Sequence, residues 1–296
     1  MKTLLLIDTN SLIHRFYHAL PPLTTPKGEP IGSIYGLSQV LLKIFREIKP
    51  DYIAACYDRP EPTFRDKLYK EYKAQRPAAA GDLVFQIIKT RELFSKFGVK
   101  NVEMPGYEAD DLIATLANRF KNEPNIKVTV FTGDQDALQI VEGDNVVVEF
   151  LIRGITETIT YNEKAVIEKY GLSPKQLPDY KGFVGDPSDN IPGIKGVGPK
   201  TAAPLIAEFG SVEGVFENLV IIPEKTAKKI RDGKDIALLS KKLATVIYDA
   251  PIGNTLEDLK VGSLNKDELK KYFTEFGFMS LVQRLLHLGY IKINFK

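Results

Sequence analysis

The chain has 296 residues, 44% of them hydrophobic and 26% charged, with 18 Pro and 22 Gly scattered along it. That length suits two ordinary domains or one large one, and the composition excludes collagen-like, fibrous and disordered classes. Lys plus Arg number 40 against 38 Asp plus Glu, so the net charge of +2 gives no global pull toward nucleic acid, and a single cysteine, Cys56, excludes an internal disulfide and a cysteine zinc site.

The first apolar run, residues 4–7, stops at Asp8, too soon for a signal-peptide core. Nowhere do about eighteen apolar residues follow one another, so no membrane span is expected and the protein reads as cytoplasmic. Residues 4–7, 53–57, 128–131 and 146–150 are short, nearly continuous apolar runs, the pattern of buried parallel strands. Between them, residues 33–48, 83–97 and 110–120 repeat apolar side chains at helical spacing, which gives an open α/β sheet. Beyond about Tyr161 the strand signals stop, and 163–170, 175–183, 200–209, 225–232, 235–243 and 266–276 read as helices separated by Gly and Pro. The expected division is an α/β domain over 1–162 and a helical domain over 163–296.

Ligands of open α/β sheets bind beyond the carboxyl ends of the strands, and three strands end in aspartate: Asp8, Asp58, and Asp134 with Asp136 just after. Glu108, Asp110 and Asp111 open the helix at 110–120, and Asp186 and Asp189 follow in the C-terminal half. One such aspartate is most often a cap or a turn residue. The set together would repel by about 4 kcal/mol per pair at 4 Å and an effective dielectric near 20. Divalent cations with oxygen ligands relieve this, so two Mg²⁺ ions, or Mn²⁺ in their place, are expected. Zinc is disfavoured because the only histidines are His14, His18 and His287, and the first two, four apart, read as structural. Two clusters of acids suit a two-metal site for phosphoryl transfer, and no serine, cysteine or histidine nucleophile pattern competes.

Two decoys fall to single residues. Asp8-Thr9-Asn10 lacks the second aspartate of aspartyl-phosphate enzymes, and Pro199 breaks the Gly-Lys-Thr of a P-loop in the segment from Gly193 to Thr201. That glycine-rich segment instead fits a hairpin between helices, whose free N–H groups hold a phosphate. Arg59, Arg65, Lys67, Lys70, Lys73 and Arg76 alternate with Phe64, Tyr69 and Tyr72, a mixture suited to a nucleic-acid strand. Lys225, Lys228, Lys229, Arg231 and Lys234 form a second basic group, which reads first as a solvated helix face.

With these residues in hand, the chain resembles the 5′-nuclease (5′-3′ exonuclease and flap endonuclease) family, including the N-terminal nuclease domain of bacterial DNA polymerase I and its free-standing homologues. The matching motifs run from Asp8 through Thr63-Phe64-Arg65, Tyr72-Lys73 to Arg76-Pro77, Glu108-Ala109-Asp110-Asp111, Thr132-Gly133-Asp134-Gln135-Asp136 and Gly185-Asp186 to Gly193, ending at Gly196-Val197-Gly198. The resemblance implies a PIN-like, mainly parallel sheet flanked by helices with a helical arch, then a helical domain containing a helix-hairpin-helix. It implies a structure-selective 5′ nuclease acting in primer removal and repair. Branched or flapped duplex DNA, including RNA-primed DNA, would be the substrate, and a DNA polymerase the partner in cis or trans. A monomer is expected.

By the same resemblance, Asp8, Asp58, Glu108 and Asp110 form a first metal site with Asp111 beside it, and Asp134, Asp136, Asp186 and Asp189 a second. Asp110 and Asp134 count as catalytic with Lys73 and Arg76, which would engage the scissile phosphate while Tyr72 stacks on a base. Arg65 joins the strand contacts, and Gly193, Lys195, Gly196, Gly198, Lys200 and Thr201 grip the duplex, with K⁺ on hairpin carbonyls. Two departures stand out: Gln135 replaces a lysine common between the two aspartates, and Pro204 should kink the helix after the hairpin. A PIN-type ribonuclease and a non-catalytic branched-DNA binder are the alternatives. The end at Lys296 leaves open an excised polymerase domain or a free-standing enzyme.

Overall fold

The computed structural model describes residues 1–154 and 157–286; His287 lies outside them. Its centre is a six-stranded sheet in the order β3-β2-β1-β4-β5-β6. The strands are β1 (Lys2–Asp8), β2 (Tyr52–Cys56), β3 (Lys100–Val102), β4 (Ile126–Thr132), β5 (Val146–Arg153) and β6 (Glu157–Tyr161). All neighbours pair in parallel except β5 and β6, which form an antiparallel edge. Two of these strands were not expected. β3 is three residues long, and β6 (Glu-Thr-Ile-Thr-Tyr) has no buried residue, so neither carries an apolar run.

Helices α1 (Thr9–Ala19) and α2 (Gly32–Lys43), the latter prolonged by a π-helical turn at Ile44–Ile48, join β1 to β2. A short α3 (Phe64–Leu68) and α4 (Gly81–Lys96) lead to β3, and α5 (Ala109–Phe120) leads to β4. Side chains along the strands divide by alternation, as the pleat requires. Leu5, Ile7, Ile53 and Ala55 enter one core with α1, α2 and α4, while Leu4, Leu6, Ala54, Val128 and Val130 enter the other with α5.

The remaining helices are α6 (Glu163–Tyr170), α7 (Leu177–Val184), α8 (Pro199–Phe209), α9 (Val212–Glu217), α10 (Glu224–Asp232), α11 (Lys234–Ala244), α12 (Lys266–Glu275) and α13 (Met279–Leu286). Phe183, Ile206, Ile230 and Val246 share the α5 core, so the helical half is built onto the sheet without a linker between them. The last two helices return to the opposite face: Leu269, Phe273 and Leu281 bury with Leu37 and Phe94 of α2 and α4. α8 runs through Pro204 without ending there. The proline ring is exposed, and so is Lys200, whose carbonyl is the one that loses its partner.

The chain order places β2 and β3 to one side of β1 and β4 to the other. This reversal opens a crevice at the carboxyl ends of β1 and β4, where Asp8 and Asp134 stand.

Candidate active site

Asp8 closes β1 and caps α1, its Oδ1 accepting the Ser11 N–H at 3.1 Å and its Oδ2 the Thr132 hydroxyl at 2.6 Å. Asp58 lies just past β2, and its Oδ1 accepts the Ala109 N–H at 2.7 Å, pinning the start of α5 to the neighbouring strand end. Glu108 is the N-cap of that helix and Asp110 sits on its first turn, where the helix dipole favours negative charge. Asp134 follows β4 and accepts the Asp136 N–H at 3.0 Å. One oxygen of Asp110, Oδ1, is buried without any hydrogen-bond partner.

Burial raises the carboxyl pKa of Asp8, Glu108, Asp110 and Asp134, and neighbouring carboxylates raise them further. Asp110 is displaced well upward, first by desolvation and then by Asp8, Asp134, Asp136 and Asp58. Asp136 is pushed up to about 7 by burial and Asp134, against the pull of Lys181.

Three cations stand among these acids. Lys73 Nζ lies 2.9 Å from Glu108 Oε2 and 3.7 Å from Asp189 Oδ2, and Arg76 pairs with Asp189 Oδ1. Lys73 takes a left-handed backbone (φ 52°), uncommon for a residue with a Cβ, and its N–H donates to the Asp189 carbonyl at 2.9 Å. Lys181 of α7 was not foreseen. Its ammonium bridges Asp136 and Asp186, 2.6 Å from Asp186 Oδ2, and outweighs burial to hold the Asp186 carboxyl below its ordinary pKa. Spacing alone could not find it, since the pairing with Asp136 spans 45 positions. Gln135 instead accepts the Tyr170 hydroxyl at 2.6 Å and Lys169 Nζ at 3.2 Å. Among the described residues, no three His, Cys, Asp or Glu side chains stand close enough to share one ion.

Three expected roles are corrected. Arg65 does not face a DNA strand: it is buried, bidentate to Asp111 at 2.8 Å through both terminal nitrogens, and donates to the carbonyls of Leu243 and Thr245. Asp111 is correspondingly no free metal ligand, because its oxygens accept from Arg65, from the Glu108 N–H and from the Ile247 N–H. Tyr72 is buried rather than open for stacking, and its hydroxyl lies 3.1 Å from both Glu108 Oε2 and Asp189 Oδ2. Residues 71–76 thus fold onto the acidic loop instead of standing away from it. Asn190, also left-handed, fixes this contact by donating to the Glu71 carbonyl at 2.6 Å.

The glycine-rich turn joins α7 to α8. Gly193 packs against the end of α7 so closely that a Cβ would lie 2.5 Å from the Val184 carbonyl oxygen. Lys195, Gly196, Gly198 and Lys200 are exposed, and Thr201 begins the α8 ladder with its N–H on the Gly198 carbonyl at 2.9 Å.

Residues 3–171 match the family described as 5′-3′ exonuclease, N-terminal resolvase-like domain, and residues 172–267 its C-terminal SAM fold. The chain belongs to the 5′-3′ exonuclease family. A 5′-3′ exonuclease of Aquifex aeolicus is 38% identical over 286 residues, covering 96% of each protein. DNA polymerase I of Bacillus subtilis is 39% identical over 285 residues, and that of Caldicellulosiruptor bescii 41% over 284. The chain spans about a third of the length of these polymerases (32% and 33%). Among solved structures, T5 5′-exonuclease with bound divalent metal ions superposes with a TM-score of 0.66 at 20% identity, covering 97% of this chain and 98% of that one. The catalytic core of Rad2 in complex with DNA substrate gives 0.65 at 19%, covering 97% and 92%. Both share this fold. The chain is thus a resolvase-like α/β layer with a helical SAM-fold addition, and among the described residues no helix is long and apolar enough to cross a membrane.

Proposed function

We propose that this nuclease cuts the 5′ strand of flapped or branched duplex DNA with two divalent metal ions, Mg²⁺ or Mn²⁺, held by its strand-end carboxylates. The observation that carries the reading is Asp110, whose buried oxygen has no partner and whose surroundings are Asp8, Asp58, Asp134 and Asp136. Such a group is costly unless a cation meets it. Asp8, Asp58, Glu108 and Asp110 would close in on one ion, and Asp134, Asp136, Asp186 and Asp189 on the other, although no three of them yet meet at one point; the all-oxygen set suits a hard metal. Bound there, the ions supply an activated water and stabilise charge on the phosphodiester.

The chain's own groups do the rest. Lys73 and Arg76, held beside Glu108 and Asp189, present positive charge to the scissile phosphate. Lys181 favours the ionised form of Asp186 and pulls the raised Asp136 in the same direction. The helix start at Gly198 to Thr201 with Lys195 and Lys200 grips duplex backbone without reading sequence. In this reading residues 1–162 cut and the helices from 163 hold the duplex, with α12 and α13 buttressing the cutting layer. Primer removal and repair, with a polymerase in cis or trans, follow from the relatives named DNA polymerase I.

Cleavage of a labelled 5′-flap duplex tests this, compared with EDTA and with a single-stranded RNA of the same sequence. Mg²⁺-dependent cutting at the flap junction is expected. Preferential cutting of the RNA, or tight flap binding without cutting in either metal, would refute it.

A further inference from the structure

Several of the hairpin carbonyls, where K⁺ was expected, already have donors of the chain's own. Asp186 N–H reaches the Ile191 oxygen at 2.9 Å, the Ser240 hydroxyl reaches that of Pro192, Val197 N–H that of Ile194 at 3.0 Å, and Thr201 N–H that of Gly198 at 2.9 Å. The turn carbonyl of Gly196 receives an ammonium instead: Lys229 Nζ of α10 lies 3.1 Å from it. Lys229 lies along the turn, for a Cβ built on Gly196 would be 3.0 Å from its Nζ, 3.4 Å from its Cε and 3.6 Å from its Cδ. Gly196 holds φ +78°, a left-handed backbone that favours glycine. A backbone K⁺ site needs several carbonyls turned to one ion in place of water, and at Gly196 an ammonium already stands on the carbonyl.

We propose that Lys229 is the hairpin's built-in cation, which makes its grip on duplex DNA independent of K⁺. The ammonium offsets the carbonyl dipole that would otherwise face an approaching phosphate, and it ties α10 to the turn. Lys225 and Lys228, exposed on the same helix, then extend the phosphate-binding surface begun by Lys195 and Lys200. The inference rests on the duplex-gripping reading.

The test is duplex affinity by fluorescence anisotropy, on the full chain in EDTA with a blunt labelled duplex. K⁺ is compared with choline at equal ionic strength. Wild type should bind within about twofold in the two salts, because its cation is covalently attached. Lys229→Met should lose roughly tenfold in choline and recover part of it in K⁺, whereas Lys228→Met should lose a few-fold equally in both, as one phosphate contact does. A wild type that needs K⁺ would overturn the inference, whatever the variants do. So would a Lys229→Met protein with the same loss in both salts as Lys228→Met, for Lys229 would then be one more phosphate contact. No duplex binding by wild type in either salt would instead refute the duplex-gripping reading, and the inference with it.

Discussion

Asp110 and the Arg65–Asp111 pair are adjacent in sequence yet physically opposite. Asp110 carries a buried oxygen with no donor, so Asp110→Asn should raise the melting temperature in EDTA at pH 8 by roughly 2–4 °C, the shift that follows from about 1 kcal/mol in a chain of this size. A drop would show that its charge is compensated within the protein. Arg65 and Asp111 compensate each other completely, and removing one partner strands the other. Arg65→Met should cost about 3–5 kcal/mol in denaturant unfolding, and adding Asp111→Leu should restore part of it. A loss under about 1 kcal/mol would mean the pair is solvated. The carboxylates at Asp8, Asp58 and Asp134 were legible because each ends an apolar strand. Arg65 was misread because it sits among Lys67, Lys70 and Lys73, and nothing in that run tells which cation turns inward to Leu243 and Thr245.

At the scale of elements, the strand ends set a pH dependence. A carboxyl whose pKa is raised on folding binds more protons folded than unfolded, so its contribution is greatest below its unfolded pKa and is lost as pH rises toward the folded one. Asp136 moves from 3.8 to about 7, and Asp8, Asp110 and Asp134 move in the same direction. Asp186, lowered by Lys181, acts in the other sense only below its ordinary 3.8. The protein in EDTA should therefore lose stability between pH 4 and 7, and saturating Mg²⁺ should flatten the decline. Thermal melts across that range check it, and a flat EDTA profile would contradict it. The hairpin gives a second expectation. Gly193→Ala forces a Cβ against Val184 and should cost about 1–3 kcal/mol and weaken duplex binding, measured by melting and anisotropy. Parallel strands and amphipathic helices were legible from period and length. β3 and β6 were not, because a short or polar strand is defined by its neighbours and not by its own pattern.

Across the whole molecule, the alternation of side chains in β1, β2 and β4 produces two cores, and the chain order produces one crevice where the strand sequence reverses. Asp8, Asp58, Asp134 and Asp136 act on Asp110 at that crevice, whereas Asp111 turns away to tie α3, α5 and the segment after α11 together. The return of α12 and α13 to the α2 face was hidden from sequence, since an amphipathic helix announces an apolar side but not which core receives it. The central claim is that metal ions held around Asp110 perform the cutting. It is tested most directly by single-turnover cleavage of a 5′-flap duplex in Mg²⁺ by wild type and Asp110→Asn, with binding followed in parallel. The account predicts that the variant binds the flap as wild type does but cuts on the order of a hundredfold more slowly or worse. Cutting at the wild-type rate by Asp110→Asn, or undiminished wild-type cutting in EDTA, would contradict it.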